Sequence, residues 1–243
     1  MKISIIMQSY LGEYPGSRKN SDKKFLRAVQ SFINQTNKDS ELVIVSDGCE
    51  VTHKLYYQNF KNNNRIKYVY VDKDTPNMYQ GEKKYYRGFP REVGRVISTG
   101  EIISYMDSDD YLMEDAVEVI KSHWENFLSK GDYMWSMTTR WFDNQLAEKL
   151  WNPSKSVTTF GKPFEIDKLK DTWIETGMKH DSLVISSTWS ISHKSTLTEK
   201  WVDSSGEESE DNIFCKKTRK NRKGFIIKKP YYVRCHYSGM WDY

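Results

Sequence analysis

The sequence predicts a doubly wound α/β fold around a mostly parallel central sheet, with a smaller mixed part at the C-terminal end. Three observations carry this prediction: apolar runs of strand length, an amphipathic helical segment after each run, and polar side chains where the runs end. The predicted strands are 2–7, 41–46, 65–71 and 101–106. The predicted helices are 22–35, 53–61, 90–98 and 114–129. Parallel sheets bind ligands at the carboxyl ends of their strands, so the residues after each run are candidates for a site.

The first strand and helix have clear local patterns. Residues 2–7, KISIIM, form a continuous apolar run of the kind that is buried on both faces of a sheet. Residues 22–35 place apolar side chains at helical spacing, with Ser21 or Asp22 as the expected N-cap. These apolar residues are Phe25, Ala28, Val29, Phe32 and Ile33.

The next elements repeat this alternation. ELVIVS at 41–46 and RIKYVYV at 65–71 are the second and third strand runs. The short helix at 90–98 begins with Pro90, which suits the first helical position. EIISYM at 101–106 is the fourth run and leads directly into acidic residues.

The pattern loosens after residue 131. We expect further strands at 133–142, 182–192 and 224–234, a helix at 210–220, and a loop-rich segment at 144–180. The sequence has no internal repeat and no low-complexity linker. Residues 1–243 are therefore expected to form a single domain.

Composition narrows the choice of function. The 243 residues carry 37 basic and 33 acidic side chains, and the resulting net charge of +4 does not call for nucleic acid as a partner. The 3 cysteines are widely spaced without a Cys-x-x-Cys pair, which favours reduced thiols over a structural zinc site. The first strand begins at Lys2, which leaves no room for a signal peptide, and no apolar run approaches membrane-spanning length. We expect a cytoplasmic protein, and the basic segment 216–229 leaves open a peripheral contact with the inner membrane face.

The densest group of like charges follows the fourth strand. The run IISYMDSDDYLMED at 102–115 contains five carboxylates, which raise the ionisation cost of one another unless a cation binds them. Asp107 and Asp109 are two residues apart on an extended segment and therefore point the same way. Their hard oxygen atoms suit Mg²⁺ or Mn²⁺, and Mg²⁺ binds one or two carboxylates together with substrate phosphates. The sequence thus predicts a metal–phosphate site here, with Asp110 facing elsewhere as a candidate helix N-cap.

Four stretches, in order, resemble family-2 glycosyltransferases of the GT-A (nucleotide-diphospho-sugar transferase) fold. They are KISIIMQSY with its Ser9–Tyr10 ending, ELVIVSDGC where the family has a strand ending in D-D-G-S, PREVGRVISTGEIISYMDSDD where it has A-R-N-x-G…A-T-G-E-Y-I…D-S-D-D, and GEESEDNIF where it has a later E-D stretch. The resemblance implies a GT-A fold in which residues 1–115 bind a nucleotide-sugar and residues 116–243 bind the acceptor.

The resemblance implies that the nucleotide binds at the first two strand ends and at the third helix. Tyr10, after Ser9, would stack on the base, and Asp47 would accept a hydrogen bond from an imino N–H, which suits uracil. Ser46 replaces the first Asp of the family's pair, so the ribose contacts are expected to differ. Arg91 would reach the nucleotide or its pyrophosphate, because a cation in a helix's first turn favours an anionic partner. The plainer alternatives are a turn residue for Asp47 and a solvated side chain for Arg91.

The resemblance also implies a divalent metal, Mn²⁺ or Mg²⁺. Asp109 would bind the ion directly, and Asp107 would contact the sugar-nucleotide or the ion through water, with Ser108 between them. A neutral imidazole is a reasonable ligand for Mn²⁺, so His236 is a candidate third ligand, against the alternative of a structural histidine.

The later acidic pair would carry the proton transfer. Asp211 would be the general base that deprotonates the acceptor, and Glu210 would orient Asp211 or the acceptor. The alternative is that both are acids of the kind favoured in a helix's first turn. The implied reaction is inverting transfer of a hexosyl group from a nucleotide-sugar, for which a UDP-sugar is expected, to a hydroxyl of a glycan, lipid-linked or protein acceptor in polysaccharide biosynthesis. No nucleic acid is expected as a partner.

Two other functions stay open as alternatives. A phosphatase of the haloacid-dehalogenase type also uses a D-x-D motif after a strand, but it has Thr or Val where Tyr111 stands, and it places the motif on the first strand. A non-catalytic module that binds nucleotide-sugar or nucleic acid is supported by the basic segment and by the aromatic content of 14%.

Overall fold

A computed structural model describes residues 1–13, 20–72, 88–127, 199–203 and 209–221, together with short segments of the second half. These segments are 133–136, 139–141, 157–159, 162–164, 174–175, 189–192, 224–227 and 231–234.

The first half of the chain forms the predicted parallel sheet. β1 (Ile3–Ser9), β2 (Ser40–Asp47), β3 (Ile66–Val71) and β4 (Ile102–Asp107) lie in the order β3-β2-β1-β4, and all neighbours are parallel. In the register, Ser9 pairs with Ser46 and Gln8 pairs with Asp107. The strands therefore end at the same level, and the residues that follow them meet at one edge of the sheet. This confirms the α/β fold class.

Five helices in the described residues cover the two faces of the sheet. They are α1 (Ser21–Ile33), α2 (Glu50–Asn59), α3 (Phe89–Ile97), α4 (Ala116–Phe127) and α5 (Glu210–Asn221). α1, α2 and α4 pack on one face, and α3 and α5 contribute to the apolar cluster on the other. All four helices predicted in the first half are present, although α2 begins three residues before the predicted 53–61.

Strand alternation explains why both layers are apolar. Ile5 belongs to the cluster beneath α1, whereas the next residue, Ile6, belongs to the cluster that faces α3. α3 packs tightly against the sheet at Gly94, where a Cβ would lie 2.5 Å from Cγ2 of Ile6. A larger residue would push α3 away from β1, which accounts for the glycine in the PREVGRV stretch.

Strands of the second half extend the sheet and build smaller ones. β11 (Trp189–Ser192) pairs antiparallel with β4, and the sheet continues through β6 (Tyr133–Ser136), β12 (Gly224–Ile227) and β10 (Ile174–Glu175). A second sheet has the order β5 (Tyr111–Leu112), β13 (Tyr232–Arg234), β7 (Thr139–Trp141). β8 (Val157–Thr159) and β9 (Lys162–Phe164) form an antiparallel pair. This is the smaller mixed part that the sequence predicts.

Three local predictions are wrong in detail. Residues 133–142 and 224–234 are each predicted as one strand, but each contributes to both the long sheet and the second sheet. Sheet membership depends on partners far along the chain, which a local pattern does not reveal. The N-cap of α1 is Asn20, in the left-handed conformation at φ 54°, and not Ser21 or Asp22. Asparagine tolerates this conformation better than most residues.

Parts of other predictions lie outside the described residues. Of 182–192, only the last 4 residues are described, and they form β11. The described residues of 144–180 are short strands. Within the described ranges, every helix is too short or too polar to span a membrane.

A buried carboxylate joins the amino-terminal ends of the strands. Glu41, only 3% exposed, accepts hydrogen bonds from Lys2 Nζ at 2.8 Å, Ser4 Oγ at 2.6 Å and the Thr99 N–H at 2.7 Å. Lys67 Nζ lies 3.1 Å from the same carboxylate. Burial raises the pKa of Glu41, but these hydrogen bonds outweigh burial and lower the pKa from 4.5 to about 2. The cluster lies at the opposite end of the sheet from the turn after β4 that carries Asp107, Asp109 and Asp110, the acidic turn.

The lowered pKa predicts a pH dependence of stability. Because the pKa of Glu41 is lower in the folded protein, its stabilisation is fully present above pH 4.5 and is lost as the pH falls toward 2. We expect Glu41→Gln to lower the unfolding free energy at pH 7 by about 3 kcal/mol and to flatten its decline below pH 4.5. Urea unfolding at a series of pH values measures this.

Glu101→Gln is the matched control, since that side chain is 68% exposed and should contribute little. Equal pH profiles for Glu41→Gln and the unchanged protein would contradict the assignment.

Candidate functional site

The turn after β2 is built around a buried serine. Gly48 adopts φ 59° and donates its N–H to the Val71 carbonyl at 2.8 Å. Ser46 Oγ donates to the Cys49 carbonyl at 3.0 Å and accepts from the Cys49 N–H at 3.3 Å. Ser46, which replaces the family's first Asp, therefore closes the turn that carries Asp47, whose side chain is buried.

The end of β1 is joined to this turn. Ser9 Oγ lies 2.9 Å from Thr52 Oγ1, and the Leu11 N–H donates to Cys49 Sγ at 3.2 Å. The ring of Tyr10 covers Gly12, where a Cβ would lie 2.7 Å from the ring. Since Ser9 pairs with Ser46, Tyr10 and Asp47 follow paired positions on neighbouring strands. The two predicted base-binding residues thus share one edge of the sheet.

The acidic turn after β4 is fixed by a tyrosine from β13. Tyr232 Oη accepts the Asp107 N–H at 3.0 Å and donates its own proton to Asp110 Oδ2 at 2.7 Å. Burial, together with the carboxylates of Asp110 and Asp107, raises the pKa of Tyr232 well above its ordinary value, so it stays a donor. Asp110 is 2% exposed, and α4 does not begin until Ala116. The prediction of Asp110 as a helix N-cap is therefore wrong.

A buried arginine connects this turn with α5. Arg91 is 6% exposed, and its Nη2 lies 3.2 Å from Asp107 Oδ1, while its Nη1 donates to Glu210 Oε1. Burial alone would lower the pKa of Arg91, but Glu210, Asp107 and Asp211 raise it above its ordinary value. The alternative of a solvated Arg91 is wrong. The anionic partners that the structure brings to it are carboxylates of the chain itself.

The guanidinium of Arg91 packs on a stack of two aromatic rings. Its guanidinium carbon lies 4.8 Å from the ring centre of Trp201, which stacks on Phe214 of α5 at 4.1 Å. Trp201 Nε1–H donates to Tyr105 Oη at 3.0 Å, and Tyr105 lies on β4. α5 is thus held against β4 by apolar contact as well as by charge.

Glu210 and Asp211, the predicted orienting residue and general base, are the first two residues of α5. Glu210 is buried, and burial raises its pKa more than Arg91 lowers it, with Asp211 raising it further. Asp211 is half-buried and accepts a hydrogen bond from Ser209 Oγ. The structure therefore brings Asp107, Glu210 and Asp211 together around Arg91, although Asp107 is about a hundred residues from the other two in the sequence.

Asp109 lies in the same turn as Asp107. The two carboxylates would suit a divalent ion whose other ligands come from a bound substrate and water. In the described part of the chain, no group of three or more acidic, His or Cys side chains is placed to hold an ion alone. Asp107 and Asp109 supply hard oxygen atoms, so the remaining ligands of a Mg²⁺ or Mn²⁺ would come from phosphate and water. This donor set fits the predicted ion. His236 lies outside the described residues.

Sequence reasoning missed Tyr232 and Trp201. Both contact the acidic turn or Arg91 from distant parts of the chain, and neither belongs to a motif. Their signal in the sequence is an aromatic residue with a polar group, which is common in any core.

Curated glycosyltransferases match parts of the chain, whereas no protein-family model matches it. The poly(ribitol-phosphate) β-N-acetylglucosaminyltransferase TarP of Staphylococcus aureus (strain N315) is 28% identical over 119 residues, which are 48% of this chain and 31% of TarP. Chondroitin synthase of Escherichia coli is 28% identical over 111 residues, which are 45% of this chain and 15% of that protein. The matched segments span less than a third of these relatives.

Solved structures match nearly the whole chain. S. aureus TarS 1–349 in complex with UDP-GlcNAc has a TM-score of 0.70 at 17% identity, over 98% of this chain and 60% of that one. The chain has the GT-A fold. A second TarS 1–349 structure gives a TM-score of 0.69 at 16% identity, over 97% of this chain and 60% of that one. Both comparisons thus support the predicted resemblance to glycosyltransferases of the GT-A fold.

The buried ion pairs predict that Arg91 matters for folding. Arg91→Met would leave Glu210 and Asp107 without their shared cation, and breaking such a buried pair costs about 3–5 kcal/mol. Chemical denaturation of the purified variant measures this loss.

Arg95→Met is the matched control on the same helix. Arg95 is equally buried, and its partner among the described residues is Glu92, one turn away. Glu92 also accepts the backbone N–H of Trp201 at 3.3 Å. Its replacement should cost about 1 kcal/mol. Equal losses of unfolding free energy in the two variants would show that the ion pairs of Arg91 contribute no more to stability than that of Arg95.

Proposed function

We propose that this chain transfers a sugar from a UDP-sugar to an acceptor hydroxyl with inversion. Asp109 and Asp107 would hold a divalent ion, and Asp211 would act as the general base. The observation that carries the proposal is the meeting of the acidic turn and the start of α5 at Arg91. A transferase of this type needs its leaving-group site and its base within one small space, because proximity supplies much of the rate. The similarity to glycosyltransferases supports the same reading.

The donor proposal rests on the edge formed by β1 and β2. Tyr10 would stack on the base, and Asp47 would accept the imino N–H of uracil. Two structures of TarS 1–349 were solved in complex, one with UDP-GlcNAc and one with UDP. UDP-GlcNAc is therefore the first donor to test here, and the sugar itself remains part of the proposal.

The ion would neutralise charge on the diphosphate as the sugar leaves. Asp109 and Asp107 would hold it, with His236 as a candidate third ligand. Arg91 is fixed beside Asp107 and keeps its positive charge, so it adds a permanent cation at the same end of the site.

The chain's own proton transfer is assigned to Asp211. Its carboxylate would accept the proton of the acceptor hydroxyl as the oxygen attacks the anomeric carbon. Glu210 pairs with Arg91 and so fixes the first turn of α5, which sets the direction of Asp211. Glu210 is thus proposed to orient the base.

The acceptor class is proposed more broadly, as a glycan, lipid-linked or protein hydroxyl. α5 starts with Glu210 and Asp211 at the site and continues to the exposed residues Lys216, Lys217 and Lys220. This basic end suits an acidic acceptor or an anionic membrane face.

Two substitutions separate donor binding from catalysis. With UDP-GlcNAc and Mn²⁺ at about 100 times Kd, we expect the unchanged protein to gain about 5 °C or more in Tm. Asp109→Asn should lose this metal-dependent gain. Asp211→Asn should keep the gain but lose turnover by about 10²- to 10⁴-fold, because only the proton acceptor is removed. Thermal shift and release of UDP measure the two effects.

Asp115→Asn is the control for the first change, since it lies in the same acidic run but after the turn. Asp203→Asn is the control for the second, because its carboxylate binds the Phe89 N–H. A metal-dependent shift that survives in Asp109→Asn would remove the metal assignment. Normal turnover of Asp211→Asn would remove the base. Binding without turnover in the unchanged protein, whatever the acceptor, would favour a non-catalytic module.

A further inference from the structure

One face of α1 bonds to the backbone around the acidic turn. Arg27 Nη2 donates to the Asp109 carbonyl at 2.6 Å, and Ser31 Oγ accepts the Leu112 N–H at 3.0 Å. Arg27 and Ser31 are four residues apart and therefore share a helix face. Their targets belong to the segment that carries the proposed metal ligands.

Gln35 lies four residues after Ser31, just beyond the end of α1. It is fully buried, donates Nε2–H to the Met113 carbonyl at 2.6 Å, and accepts the Val117 N–H at 2.9 Å. The polar stripe Arg27–Ser31–Gln35 thus fixes the backbone from Asp109 to the start of α4.

Arg27 is the member of the stripe that reaches the acidic turn. Its guanidinium carbon lies 5.1 Å from the ring centre of Tyr111, while Nη2 bonds the Asp109 carbonyl. The guanidinium therefore contacts the chain on both sides of Asp110. A peptide group held in this way has a restricted orientation, which limits the direction in which Asp109 projects its side chain.

We propose that Arg27 is a positioning residue for Asp109, which fixes the direction of that carboxylate and so sets the affinity of the site for a divalent ion. The inference rests on the proposed function, in that Asp109 must bind the ion. Groups that orient metal ligands typically cost 10–100-fold in metal affinity when they are removed.

The charge of Arg27 makes the idea testable, because two explanations predict opposite signs. If Arg27 acted only through its positive charge, its removal would relieve repulsion and tighten the binding of a cation. If it acts by holding the Asp109 peptide, its removal weakens that binding. The sign of the change decides between them.

Arg65 provides a matched control elsewhere in the protein. Its Nη2 donates to the Ile33 carbonyl at 3.0 Å, and its guanidinium carbon lies 4.7 Å from the ring centre of Phe32. Arg65 thus makes the same two kinds of contact at the C-terminal end of α1. Replacing it tests the loss of such contacts without touching the acidic turn.

The experiment is a Mn²⁺ titration followed by the EPR signal of the free ion, in the presence of UDP. We expect Arg27→Gln to weaken Mn²⁺ binding by about 10-fold or more, and Arg65→Gln to leave it unchanged. Arg27→Lys keeps the charge and a donor, so it should recover part of the affinity. Circular dichroism and Tm establish whether each variant is folded. If Arg27→Gln does not fold, Mn²⁺ binding by Arg27→Lys is the deciding measurement.

Each other result has a definite meaning. Unchanged or tighter Mn²⁺ binding by folded Arg27 variants would overturn the positioning role while leaving the proposed metal site intact. Weaker binding of UDP by Arg27→Gln in EDTA would show that Arg27 contacts the nucleotide itself, and this would also overturn it. No Mn²⁺ binding by the unchanged protein would overturn the proposed metal site, and the inference with it.

Discussion

The buried guanidinium of Arg91, between Asp107 and Glu210, is the interaction on which the candidate site depends. A charge removed from water is costly unless it is paired, so each of these groups restricts the positions of the others. Asp107 ends a strand of the first half, and Glu210 begins a helix of the second. The pairing therefore fixes the distance between the acidic turn and the proposed base. Trp201 and Phe214 hold the same junction through apolar contact.

The acidic turn is held from several directions. Tyr232 bonds both Asp107 and Asp110 from the second sheet, and the stripe Arg27–Ser31–Gln35 bonds the backbone from Asp109 onward. A turn with so many carboxylates would otherwise spread apart by mutual repulsion. Preorganisation of this kind lowers the entropic cost of binding an ion and a diphosphate. The stability of the fold and the proposed chemistry thus use the same contacts.

Much of the parallel sheet follows from local sequence, since a short run rich in isoleucine, such as KISIIM, favours a strand buried on both faces. The strand ends were predictable for the same reason, and with them the shared edge of Tyr10, Asp47 and Asp107. Non-local contacts were not predictable. Asp110 resembles a helix cap because it precedes a predicted helix. Its actual partner, Tyr232, is 122 residues away and is not visible to a local pattern. The partners of Arg91 were likewise hidden, since an arginine in a first turn indicates an anion but not which one.

The most direct test of the Arg91 junction is a double-mutant cycle on the unfolding free energy, with Arg91→Met, Glu210→Gln and the combined variant. If the two side chains depend on one another as described, the coupling energy should be at least about 2 kcal/mol. A combined loss equal to the sum of the single losses would contradict the account, because Arg91 and Glu210 would then contribute independently.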